Sequence, residues 1–149
     1  MTLLLDSDRG RYAKGLLVLL VFFIFRVLGQ LIQAVHPISL LPSFDAWQGS
    51  RLPYWMLLSS QIIIIFLFST ILLRILKGTT RPSLALGRVL LVIGTLYFGV
   101  MIVRLFVGTF FLPDHDWFGA RIPAFFHLVL SSFVLLLGRF HYRCYEDTV

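Results

Sequence analysis

Two arginines, Arg26 and Arg104, stand near the middle of long apolar runs, and no acidic residue lies in any of the four such runs of the chain. A charge at that depth in a bilayer is expensive, which makes an intramembrane arginine a functional-site hypothesis by default. With no internal carboxylate to pair with, the expected partner is an anionic group from a lipid, a cofactor or a neighbouring subunit. Backbone carbonyls, glutamines and ordered water are the alternative.

Other polar side chains sit at similar depth. At 1.5 Å per helical residue, Arg26 lies about 15 Å below His36, Gln61 about 12 Å below Pro53, and Arg104 about 13 Å below Pro113. His127 and Ser131 lie about 9 and 15 Å below Arg121, and Gln30 about 9 Å below His36. Arg26, Gln30 and Gln33 follow i, i+4, i+7 spacing and share one helix face, as do His127 and Ser131 at i, i+4. The expectation is a ligand- or partner-binding set of Arg26, Gln30, Gln61, Arg104, His127 and Ser131 turned inward around a pocket. The bland alternative for the glutamines and for Ser59, Ser60, Ser131 and Ser132 is interhelical hydrogen bonding, each bond worth about 0.6 kcal/mol. His127 has its own ordinary role, as a packed and satisfied histidine.

Several chemistries can be weighed on these residues. A quinone carbonyl could accept from histidine, arginine, serine or glutamine in an apolar slot. Bis-histidine haem needs two imidazoles on different helices at one depth. His127 and His141 share a helix face, while His36 and His115 lie at the surface, so a haem site would be tilted and shallow. Asp114, His115 and Asp116 have metal-ligand chemistry, with His36 or Asp45 of the other loop as a further donor. Consecutive residues converge poorly on one ion, and pairing with Arg51 or Arg121 is the simpler use of the acids. No nucleophile–base–orienter set, glycine-rich phosphate loop or paired acids in a cleft can be read. Catalysis by this chain alone is therefore not expected.

The elements that must position these residues are four transmembrane helices, at roughly 16–35, 54–73, 89–112 and 122–140. Each has about the 20 residues needed to cross a hydrocarbon core of about 30 Å. Of the 149 residues, 58% are hydrophobic and only 13% charged, against about a quarter charged in soluble domains. The first run, at 20 residues, exceeds the roughly 7–15 of a signal-peptide core, so it reads as a retained helix. Pro53 and Pro123 fall near helix starts, and Gly78 with Arg81-Pro82 separates the second and third spans. Thr95 and Gly99 offer a small-x-x-x-small step for close helix approach. Short connections favour an all-α, four-helix antiparallel bundle forming a single domain over 1–149.

Orientation follows the basic residues. Arg9, Arg11, Lys14, Arg74, Lys77, Arg81, Arg88, Arg139 and Arg143 fall on one side, and only Arg51 and Arg121 on the other. The positive-inside rule then places both termini in the cytoplasm, in a bacterial-type inner membrane. The net charge of +6 is thus a topology signal with some attraction to anionic lipid, not a sign of nucleic-acid binding. The single cysteine, Cys144, leaves no internal disulfide or Cys-x-x-Cys motif. In the outer loop, Leu40, Leu41, Phe44 and Trp47 could form one side of a short interfacial helix, or with Tyr54, Trp55 and Trp117 an aromatic belt.

The functional expectation is a non-catalytic accessory or structural subunit of a larger inner-membrane complex. Its partners would be membrane lipids and other membrane subunits, and its buried arginines would hold an anionic lipid, cofactor or partner group. A haem- or quinone-binding redox protein and a small oligomeric anion transporter are the alternatives. No inverted repeat or broken-helix pair supports transport by one copy.

Overall fold

The computed structural model describes residues 2–48 and 52–146, with side chains from 9 to 48 and from 52 to 145. It contains α1 (Thr2–Val35), the short α2 (Phe44–Trp47), α3 (Tyr54–Leu76), α4 (Leu84–Phe110) and α5 (Arg121–Glu146). Four of these helices are long and apolar enough to cross a membrane, and no strand occurs among the described residues. The helices outrun the apolar runs at their basic ends, α5 continuing past residue 140 and α1 beginning well before residue 16. Arginine and lysine are good helix formers, so hydropathy marks where a span is apolar and not where its helix stops.

Adjacent packing runs in the order α3, α1, α5, α4, and the backbones of α3 and α4 make no contact. α1 buries Ala13, Leu16, Leu20, Phe23, Val27 and Gln30, a 3-4-3-4-3 seam of the kind that interlocks neighbouring helices. α5 answers with Phe126, Val129, Phe133, Leu137, Phe140 and Cys144. Together with Leu72 and Ile75 of α3, the basic-end halves of these seams form a dry apolar core. The seam turns polar at Arg26 and Gln30, so the chemistry of α1 lies towards the end carrying the 36–53 loop.

α4 attaches to α5 through glycines. A Cβ placed on Gly87 would come within 2.8 Å of the Tyr142 backbone nitrogen, and one on Gly94 within 2.9 Å of Leu135. On α5, a Cβ at Gly138 would lie 3.0 Å from the Leu91 nitrogen. Small residues let two backbones approach closely where lipid supplies no hydrophobic drive. The step expected at Thr95–Gly99 is not used, since nothing lies within 4 Å of a Cβ on Gly99. The connection between α3 and α4 is closed by Gly78 at φ 70°, a left-handed cap that glycine adopts without strain. The Ser83 N–H then donates to His141 Nδ1 at 3.3 Å, fastening the start of α4 to α5.

Gly87→Ala should destabilise the protein by about 1–3 kcal/mol through overpacking. Gly99→Ala should leave stability unchanged or raise it by up to about 1 kcal/mol, the helix-propensity gain. Reversible unfolding of both variants in one detergent tests the seam, and equal effects would refute it.

Candidate functional site

Arg26 is buried, and its Nη1 donates to Gln30 Oε1 at 3.1 Å while Nη2 donates to the Trp47 carbonyl at 3.2 Å. Gln61 Nε2, from α3, donates to the same Gln30 oxygen at 3.3 Å. Gln30 therefore bridges a guanidinium on its own helix and an amide on the next. The Arg26 guanidinium also lies 5.7 Å from the centroid of the Phe126 ring of α5, within cation–π range. Three helices and one loop meet at this residue.

The loop is held there by its own side chain. Trp47 is only 4% exposed, rests its ring on Gly29 and stacks on Phe126 with centroids 6.5 Å apart. Its Nε1 donates to the Pro42 carbonyl at 3.1 Å. Upstream, the Gln33 amide exchanges two hydrogen bonds with the Ile38 backbone, tying down the exit from α1. Of the short helix that Leu40, Leu41, Phe44 and Trp47 could form, one turn is present, Phe44–Trp47, and Trp47 points into the protein instead of into a belt. A ring that can bury against glycine and phenylalanine while donating its N–H gains more there than in the belt. Gly49, Ser50 and Arg51 lie outside the described residues.

Arg104 repeats the arrangement on α4. Its Nε and Nη2 both donate to the Trp117 carbonyl, at 3.0 and 2.8 Å, and its guanidinium lies 4.4 Å from the Trp117 ring centroid. One turn further along, a Cβ on Gly108 would collide with the Phe118 carbonyl. His115 Nδ1 accepts from the Trp117 and Phe118 N–H groups at 3.2 and 3.4 Å, shaping the turn that presents that carbonyl. Each buried arginine thus has a loop tryptophan carbonyl as its partner.

The other expected residues separate. His127 Nδ1 is hydrogen-bonded to the Tyr97 hydroxyl of α4, and His127 stands within electrostatic range of both Arg26 and Arg104. Ser131, though fully buried, donates to the Leu128 carbonyl of its own helix. Ser59 and Ser60 likewise donate to Trp55 and Leu57. Short hydroxyls find a carbonyl three or four residues back before they can reach another helix. The polar pocket expected to be shared by all four helices is not assembled. Arg26, Gln30 and Gln61 come together with His127 nearby, whereas Arg104 serves the other loop. His141 is buried and engaged with Ser83; its spacing of 14 from His127 puts both imidazoles on the α4 side of α5.

Three cavities bear on binding. A slot of about 100 Å³ between α1, α3 and α5 is lined by Arg26, Ser60, Gln61 and His127 among apolar residues. A larger apolar groove, about 490 Å³, runs along α4 from Thr95 and Gly99 to Arg104 beneath Trp117 and Phe118. The two loops enclose a cleft of about 1000 Å³ edged by Asp45, Asp114, His115, Asp116 and Arg121. Among the described residues no group of three or more histidines, cysteines or acids is placed to hold a metal ion, so Asp114, His115 and Asp116 do not converge.

This geometry belongs to the class of all-helical proteins with four membrane-length apolar helices. No family model, curated protein or solved structure matches the chain.

Arg104→Leu should raise amide hydrogen exchange in residues 113–120 by at least about tenfold while residues 42–48 stay protected, because a hydrogen bond to a charged group is worth about 1.5–3 kcal/mol. Arg26→Leu should do the reverse. Equal loosening of both loops by either variant would show that the two clamps are not separate.

Proposed function

We propose that the chain is a multi-pass membrane protein acting as a non-catalytic accessory subunit of a larger bacterial inner-membrane assembly. In this reading the four spans are antiparallel, both termini face the cytoplasm, and the 36–53 and 111–120 loops form the outer surface. The basic residues support the orientation, as does the gathering of both loops around one cleft. At the opposite end Arg9 reaches Gly78 and Ser83 bonds to His141.

The observation that carries the role is the use made of the two buried arginines. Each points its donors at a loop carbonyl, so buried charge holds an outer surface in shape. That surface carries Asp45, Asp114 and Arg121 around its cleft, a polar rim on which a partner could dock. The flanks of α3 and α4 expose Ile62, Ile63, Phe66, Val92, Leu96 and Val103, suited to lipid or to the helices of another subunit.

Purification in mild detergent with mass spectrometry of co-migrating species should recover another membrane subunit in stoichiometric amount. Arg26→Leu and Arg104→Leu should each lose that subunit while remaining inserted; unchanged composition in both would refute the role. The topology has its own check. An impermeant maleimide applied to intact cells should label Asp114→Cys and spare Thr79→Cys, and the opposite pattern would invert the orientation.

A further inference from the structure

The buried polar atoms that lack a hydrogen-bond partner among the described residues are Gln30 Nε2, Gln61 Oε1 and the Tyr54 hydroxyl. Two of the three adjoin Arg26: Gln30 is bonded to it and Gln61 shares that acceptor, while Tyr54 packs edge-on against Phe44. The Arg104 clamp leaves no such atom. A buried polar group without a partner costs about 1–3 kcal/mol, so one that lines a cavity, as Gln61 does, marks a place where something else binds.

The cavity is the slot between α3 and α5, floored by Phe23 and Arg26 of α1. The backbones of α3 and α5 make no contact, and their side chains meet nearer the basic end, where Phe68 stacks on Phe133. Towards the loops they stand apart, and the slot between them is partly open. Gln61, only 4% exposed, lines it with an unpartnered oxygen. Arg26 brings positive charge, and no acidic residue in any span balances it. The required occupant offers anionic oxygen to Arg26 and an O–H or N–H to Gln61.

Size and depth narrow the choice. A volume of about 100 Å³ is well below the roughly 300–1,000 Å³ of pockets that enclose a whole drug-sized ligand. Only the polar end of a molecule enters, and its remainder stays outside. Phe126 lies five residues into α5 and Gln61 seven residues into α3, while Arg26 lies nine residues from the end of α1, so the slot reaches from about 8 to about 14 Å below the helix ends. Its mouth is near the inner edge of the headgroup region, which is about 5–8 Å thick per leaflet, and a headgroup that reaches Arg26 dips below that edge. We propose that this slot binds the headgroup of a glycerophospholipid from the leaflet on the loop side, its phosphate oxygen on Arg26 and a headgroup hydroxyl on Gln61 Oε1. A phosphatidylglycerol-type headgroup has both groups, and its acyl chains remain in the bilayer. The proposal needs the slot and a membrane, and is independent of the accessory role.

The test is native mass spectrometry of the protein from nanodiscs of equal phosphatidylglycerol, phosphatidic acid and phosphatidylcholine. Wild type should retain one phosphatidylglycerol in preference to the other two. Arg26→Gln should lower that retention at least about tenfold, while Arg104→Gln, which removes the same charge outside the slot, should not. Gln61→Leu should bring phosphatidylglycerol and phosphatidic acid to parity, which keeps the test decisive if Arg26→Gln fails to fold. Equal loss in Arg26→Gln and Arg104→Gln would reduce the effect to general electrostatics and overturn the proposal. Retention of no lipid, water alone filling the slot, would overturn it too. Soluble glycerol 3-phosphate binding the lipid-free protein as tightly as the lipid would assign the slot to a free anion instead.

Discussion

A hydrocarbon interior offers no water to a carbonyl or a guanidinium, so every such group must find a partner in the protein or in a molecule the protein holds. The two arginine–tryptophan carbonyl contacts answer that demand twice over. A loop that dips among helices exposes backbone oxygens that no helix satisfies, and a buried arginine carries donors that no acid in the spans satisfies. Each deficit cancels the other. The burial of Trp47 over Gly29, the seating of the Phe118 carbonyl over Gly108, and the shape of the loop-side cleft go with this exchange.

Seen this way, the two halves of the molecule do different work. Towards the basic end, α1, α3 and α5 share an apolar core in which Phe133, Phe140, Leu16 and Ile75 are essentially inaccessible. Towards the loops, the same helices carry a network centred on Gln30, with donors arriving from Arg26 and Gln61. Low dielectric strengthens such a network where it is complete and penalises it where it is not. The incomplete part lies on the slot side, and that separates the two arginines: one is a clamp alone, the other a clamp beside an unfilled demand.

Much of this was legible in the residues. Four apolar runs marked the membrane-length helices because apolar length is a direct physical requirement of crossing lipid. Counting 1.5 Å per residue put Arg26, Gln30 and Gln61 at similar depth, and the fold brings those three together. Depth alone does not say on which side of a neighbour a helix packs, so it could not show that Arg104 serves a different loop from Arg26 or that Ser131 bonds within its own helix. The deciding contacts were glycines at 87, 94 and 138, and nothing in their type distinguished them from Thr95 and Gly99. A loop carbonyl has no side-chain signature, so the partners of both arginines were invisible. Trp47 read as an interfacial anchor because its burial depends on Gly29 and Phe126, 18 positions before it and 79 after.

The arginine partners also differ from the rest of the packing in their distance along the chain. Arg26 is bonded 21 residues ahead and Arg104 13 residues ahead, whereas α1 must wait for α5, roughly 100 residues later, to complete its seam. At a synthesis rate of about 5–20 residues per second, that wait is on the order of 5–20 s. The segment that carries each guanidinium's carbonyl is instead synthesised within about 1–4 s of it. The partners of the most unfavourable groups to place in lipid thus lie in the segments made next, and only the final seating of Trp47 against Phe126 waits for α5.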